Sequence, residues 1–164
     1  MDLRERAARI KLVVFDVDGV FTDGSLYYGP GGEELKVFNV QDGQGVKRLL
    51  AAGIGAAVIS GRDSAAVTRR MRDLGITHVF QGDEDKLPVL ERLLKKLGLT
   101  LEQAAHVGDD LPDLPLFQRV GLAVATANAM PALKAAAHHV TAAGGGRGAV
   151  REVCDLLLTA QGHA

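Results

Sequence analysis

With 164 residues, 19 Lys+Arg and 20 Asp+Glu, the chain fits one domain with a real core, and its charge is too balanced for a phosphate-backbone footprint, so nucleic acid is excluded as an expected partner. The composition is 47% hydrophobic but only 4% aromatic, with no Trp, so the core must be built from Val, Leu, Ile and Ala, the filling of helix-covered parallel sheets. A single cysteine, Cys154, rules out an internal disulfide and suits a reducing compartment.

The N-terminal Met1–Ile10 carries Asp2, Arg4, Glu5, Arg6 and Arg9, too dense a charge for a signal peptide. The longest apolar run, Ala51–Ile59, is interrupted by glycines and falls short of the roughly 20 residues that a membrane span needs. The expectation is a cytoplasmic protein with no membrane partner.

Along the chain, Ile10–Phe15 (IKLVVF) predicts a fully buried strand because its apolar residues are nearly continuous. Ser25–Val40 follows as two β-like halves around Gly-Pro-Gly-Gly, a hairpin inserted after the first strand. Gln44–Ala52 predicts a helix, Gly55–Ser60 a strand, and Asp63–Leu74 a helix with Asp63 as N-cap and Val67, Met71 and Leu74 on one face. Further strands are expected at Thr77–Gln81, Ala104–Gly108, Gly121–Ala125 and His138–Thr141. Further helices are expected at Lys86–Leu97, Leu111–Val120, Met130–Ala137 and Ala149–Gln161. Such alternation predicts an α/β fold: a Rossmann-like parallel sheet, helices on both faces, one domain over 1–164 and a flexible tail from about 142. Sites in such sheets open at the carboxyl ends of the strands.

Polar clusters stand at those ends. Asp16 and Asp18, two apart in extended chain after the first strand, point the same way, and two close carboxylates repel unless a cation lies between them. Magnesium, a hard ion that prefers oxygen, suits them; a simple Asp-Gly turn is the bland alternative. Ser60-Gly61-Arg62 offers a hydroxyl and a forked cation for an anion, or merely a cap and a solvated arginine. Lys86 follows Asp83-Glu84-Asp85, where a surface lysine is the plain reading, and Gly108-Asp109-Asp110 with Asp113 forms a metal shell or a solvated acidic loop. The order of the four, each after its own strand, favours chemistry. Magnesium and Lys86 would offset the charge of a phosphate monoester while Asp16 attacks phosphorus and Asp18 serves the leaving group and then the water. By contrast, His78, His106, His138 and His139 lack metal-ligand spacing and read as packing or exposed residues, and Cys154 reads as buried and inert.

These residues resemble the motifs of the haloacid dehalogenase superfamily. DVDGVFTDG at Asp16–Gly24, GEELKVFNVQDGQG at Gly32–Gly45, ISGR at Ile59–Arg62, QGDEDK at Gln81–Lys86, GDDLPDLP at Gly108–Pro115 and GGRGAVREVCDLLL at Gly145–Leu158 resemble its 3-deoxy-D-manno-octulosonate 8-phosphate phosphatase family. The resemblance implies a capless magnesium-dependent phosphatase in lipopolysaccharide precursor synthesis, assembled as a homotetramer whose hairpins screen neighbouring sites. It implies Mg2+ on Asp16, the Asp18 carbonyl and Asp109. It also implies a sugar acid phosphate contacted by Asp18, Asn39, Val40, Gln41, Asp42, Gly43, Lys47, Ser60, Gly61, Arg62, Arg70 and Lys86. Gln41 and Lys47 stand where that family often has arginine. Three other readings differ in particulars. A phosphatase for a nine-carbon sugar acid usually has glutamate at the position of Arg62. A non-catalytic oligomerisation domain has often lost the motif acids, and a receiver-type phosphoacceptor places its acid pair before the phosphorylated aspartate.

Overall fold

The computed structural model describes residues 1–163. A short helix, α1 (Leu3–Ala8), leads into β1 (Leu12–Phe15), the hairpin strands β2 (Tyr27–Tyr28) and β3 (Glu34–Leu35), α2 (Val40–Ala51), β4 (Gly55–Ser60), α3 (Ala65–Leu74) and β5 (His78–Gln81). Then come α4 (Lys86–Leu97), β6 (Ala104–Gly108), α5 (Leu114–Phe117), β7 (Leu122–Ala125), α6 (Pro131–Ala136), β8 (His139–Val140) and α7 (Ala149–Ala160). The six predicted strands form one sheet in the order β5-β4-β1-β6-β7-β8, every pairing parallel. Strand alternation divides the core. Val13 and Phe15 of β1 join the layer of α1, α2, α3 and α7, while Leu12 and Val14 join that of α4, α5 and α6.

One element went unread and three local readings are corrected. The N-terminal charges conceal α1, started by an Asp2/Glu5 capping box. Helix α2 begins at Val40, earlier than expected, because Asn39 caps it by accepting from the Gln41 and Asp42 N–H groups. The cap of α3 is Ser64, whose hydroxyl accepts from the Val67 N–H, and not Asp63. Leu111–Val120 is a 3-10 turn followed by the short α5, since Pro112 and Pro115 cannot donate to a continuous helix. The tail expected to be flexible from about 142 to 164, whose last residue lies outside the described residues, includes α7, whose Val150, Val153, Cys154, Leu157 and Leu158 are buried.

The sheet order places the crevice. From β1 the chain builds outward to β4 and β5, then returns to β6 on the other side, so the carboxyl ends of β1 and β6 flank a topological switch point. The β1 loop turns back at Gly19, with φ +84°, where any Cβ would strike the Asp109 carboxylate. Asn128 ties that turn to the loop before α7, donating to the Gly19 carbonyl at 3.0 Å and accepting from the Gly145 N–H at 2.7 Å.

Candidate active site

A cleft of about 310 Å³ opens at the switch point, lined by Asp16 and Asp18 after β1, Ser60, Gly61 and Arg62 at the end of β4, Lys86 at the start of α4, and Asp109, Asp110 and Asp113 after β6. Segments far apart in sequence meet here because β4, β1 and β6 are adjacent. At the floor, the Lys86 ammonium lies 3.1 Å from Asp16 Oδ1 and 2.8 Å from Asp113 Oδ1. Carboxylate oxygens of Asp16, Asp109 and Asp113 fall within 4.8 Å of one another.

Lys86 alone cannot neutralise three acids in so small a volume. Burial, then the charges of Asp16 and Asp113, push Asp109 up to about 8. Burial and Asp113 also raise Asp16, against the pull of Lys86. Asp113 goes the other way: burial alone would raise it, but the His106 hydrogen bond and the Lys86 charge hold it well below the ordinary carboxylate range. Burial alone would lower Lys86, yet Asp16 and Asp113 raise it, so the ammonium persists. The donor set is all oxygen and over-charged, which suits a divalent hard cation. Asp113 is already committed, accepting from Lys86, His106 and the Asp109 and Asp110 N–H groups, which leaves Asp16 and Asp109 as the freer carboxylates.

A second network holds the Asp18 side chain. Lys36, just past β3, donates to Asp18 Oδ1 at 2.6 Å and meets Glu34 Oε1 at 2.7 Å, with its side chain only 1% exposed. Burial alone would lower Lys36, but hydrogen bonds to Asp18 and Glu34 raise it. Arg62 donates to Glu34 at 2.9 Å and stands 3.7 Å from Asp18 Oδ2. Sequence reasoning passed over Lys36 and Glu34. The signal available was that Lys36 is the sole cation between Ser25 and Val40.

Other expected substrate contacts lie outside this cleft. Val40, Gly43, Lys47 and Arg70 line a separate cavity between α2 and α3, where the Arg70 guanidinium sits 5.9 Å over the Phe38 ring. Asn39 is occupied by its capping role. Gln41 is exposed, and Asp42 is buried, accepting from the Arg151 N–H at 2.9 Å so that it caps α7 from across the helix pair. Burial lifts Asp42 above the ordinary carboxylate range. Cys154 is buried as expected, and burial pushes its thiol well up, away from the reactive thiolate. Among the described residues, no helix is long and apolar enough to cross a membrane.

Residues 73–150 match a family described as haloacid dehalogenase-like hydrolase. The 3-deoxy-D-manno-octulosonate 8-phosphate phosphatase of Yersinia pestis is 52% identical over 98% of this chain and 86% of its own length. A Moraxella catarrhalis phosphatase of the same name, solved with magnesium, phosphate and KDO, superposes with a TM-score of 0.95 at 46% identity, covering 97% of this chain and 91% of that one. The cobalt-bound Haemophilus influenzae phosphatase gives 0.92 at 47% identity, covering 96% and 92%. Identity of this extent, over a fold that superposes so closely, carries a plain conclusion: the chain belongs to the 3-deoxy-D-manno-octulosonate 8-phosphate phosphatase family of haloacid dehalogenase-like hydrolases.

Proposed function

We propose that this protein hydrolyses 3-deoxy-D-manno-octulosonate 8-phosphate to the free sugar acid and inorganic phosphate, as a cytoplasmic homotetramer serving lipopolysaccharide precursor synthesis. The observation that carries the reading is the meeting of Asp16, Asp18, Ser60, Arg62, Lys86 and Asp109 in one cleft. Asp16 and Asp109 side chains, with the Asp18 carbonyl, would hold Mg2+. When bound, the ion offsets the repulsion between the phosphate dianion and the attacking carboxylate.

The Asp16 carboxylate forms the bond to phosphorus as the sugar oxygen leaves, giving an aspartyl-phosphate, and Asp18 supplies the proton to that oxygen. Water then attacks the same phosphorus while Asp18 takes its proton, and phosphate departs with Asp16 restored. Lys86, held between Asp16 and Asp113, faces the equatorial oxygens together with the Ser60 hydroxyl, so charge stabilisation is in place before the reaction begins. Arg62 lines the same cleft with its side chain 44% exposed and suits the substrate carboxylate.

Assembly follows from the hairpin. Leu26, Tyr27, Tyr28, Leu35 and Val37 are all exposed, and a two-stranded hairpin is marginal alone in water. Packed against neighbouring subunits, it would bring Asn39–Gly43, Lys47 and Arg70 towards an adjoining cleft. The test is phosphate release from 3-deoxy-D-manno-octulosonate 8-phosphate, a nine-carbon sugar acid phosphate, glucose 6-phosphate and an aryl phosphate, each with magnesium and with chelator. Magnesium-dependent preference for the first supports the reading. Preference for the nine-carbon acid, or release of no more than one phosphate per chain, overturns it.

A further inference from the structure

Strand β6 reads Ala-Ala-His-Val-Gly, and His106 is its one polar side chain, fully buried in the centre of the sheet. The ring is fixed by an edge contact with Phe117, centroids 5.9 Å apart at 75°. Its Nε2 lies 2.8 Å from Asp113 Oδ1, the same oxygen that receives Lys86 at 2.8 Å. Two lone pairs cannot face each other at that distance, so Nε2 carries a proton and donates. Nδ1 is buried with no partner among the described residues, which favours a bare lone pair there over a stranded N–H.

We propose that His106 is a positioning residue for Lys86: its Nε2–H pins the Asp113 carboxylate, which in turn holds the Lys86 ammonium against Asp16. The role of Lys86 rests on the phosphatase reading above. Asp113 closes a short 3-10 turn, and both of its oxygens are engaged: Oδ2 accepts from the Asp109 N–H at 3.0 Å, Oδ1 from His106 and Lys86. Without the histidine, Oδ1 keeps only the lysine, whose four-carbon stem has many rotamers and does not fix the carboxylate plane. The ammonium then samples positions displaced from the phosphoryl oxygens. Such a loss is felt where charge develops, in turnover more than in substrate affinity.

The experiment compares His106→Leu, which fills space without a donor, with His106→Gln, whose amide places an N–H near the imidazole Nε2. The expected result is a kcat lowered about 10- to 100-fold in His106→Leu, the range of one lost charge-assisted hydrogen bond, with KM changed less than about threefold and kcat largely rescued in His106→Gln. Equal losses in both variants, or wild-type kcat in His106→Leu, overturn the proposal. Nitrogen-15 spectra of the wild-type protein supply a readout independent of turnover and of any variant's folding. A His106 proton on Nε2 supports the proposal, and a ring protonated on Nδ1 alone overturns it. The Lys86 ammonium resonance should persist in His106→Gln and broaden in His106→Leu, and an unchanged resonance in His106→Leu counts against the proposal. These spectra remain decisive in a protein that turns over no phosphate monoester, so failure of the substrate reading is told apart from failure of this one.

Discussion

Removing the divalent cation should make the folded protein less stable as pH rises, opposite to the usual behaviour of a carboxylate. Asp109 stands at about 8 in the folded chain against an ordinary 3.8, so between these values the folded state keeps a proton that the unfolded state has lost. Its contribution is complete below the unfolded value and is lost as pH climbs through the folded one. Asp16 and Asp42, both raised chiefly by burial, share this sign. His138, lowered by burial and by Arg6 from 6.5, has the opposite sign at lower pH, so the clean window lies above that value. Across about pH 6.5 to 8, Asp109 alone accounts for about 1–2 kcal/mol, from 1.36 kcal/mol per proton and pH unit. For a domain of this size that is a fall in Tm of about 2–8 °C. Thermal melts in chelator at both pH values measure it, and excess magnesium, which takes the place of the proton, should flatten or reverse the trend. In Asp109→Asn, magnesium should no longer alter the slope. A metal-free Tm that is flat or rising over this window would refute the electrostatic reasoning.

Asp18→Asn should slow phosphate release by about two to four orders of magnitude while magnesium affinity, measured by calorimetry, changes little, since only the carbonyl of Asp18 is a proposed ligand. Arg62→Ala should cut kcat/KM on the sugar acid phosphate by about one to two orders of magnitude and barely change hydrolysis of an aryl phosphate; equal losses would move Arg62 to the phosphate or the fold. Tyr28→Lys together with Val37→Lys should shift the light-scattering mass at micromolar concentration from tetramer to smaller species, and a wild-type protein with the mass of a monomer would remove the assembly proposal.

The strands were legible because each buried one is a nearly continuous apolar run, and the parallel order followed from their alternation with helices. Boundaries failed where side chains cap or interrupt. Asn39 starts α2 although Gly43 and Gly45 make its first turns look like loop, and Pro112 and Pro115 break an otherwise helical pattern. The cluster of Asp16, Ser60, Lys86 and Asp109 could be anticipated because each stands at the edge of its own element, and sheet order does the rest. Contacts that cross elements left no such mark. Nothing near His106 announces Asp113 until the turn folds back, and a histidine inside an apolar strand looks the same whether it packs or donates.

The hairpin shows most clearly what sequence pattern alone misses. Its alternation predicts two faces, and its exposed Leu26, Tyr27, Tyr28 and Val37 suggest an outward role alone. Yet Lys36 turns inward, buried between Glu34 and Asp18, so the same insertion that leaves apolar surface uncovered also pairs a cation with Asp18, a residue that lines the cleft of its own chain. A movement of the hairpin that buried the apolar face would therefore also move a charge touching Asp18. This would tie the proposed assembly to Asp18, the proposed acid/base group, through one side chain: Lys36→Met should alter the pH profile of turnover even in a protein whose light-scattering mass is unchanged, and an unchanged profile would mean that the hairpin does not act on the cleft through this charge.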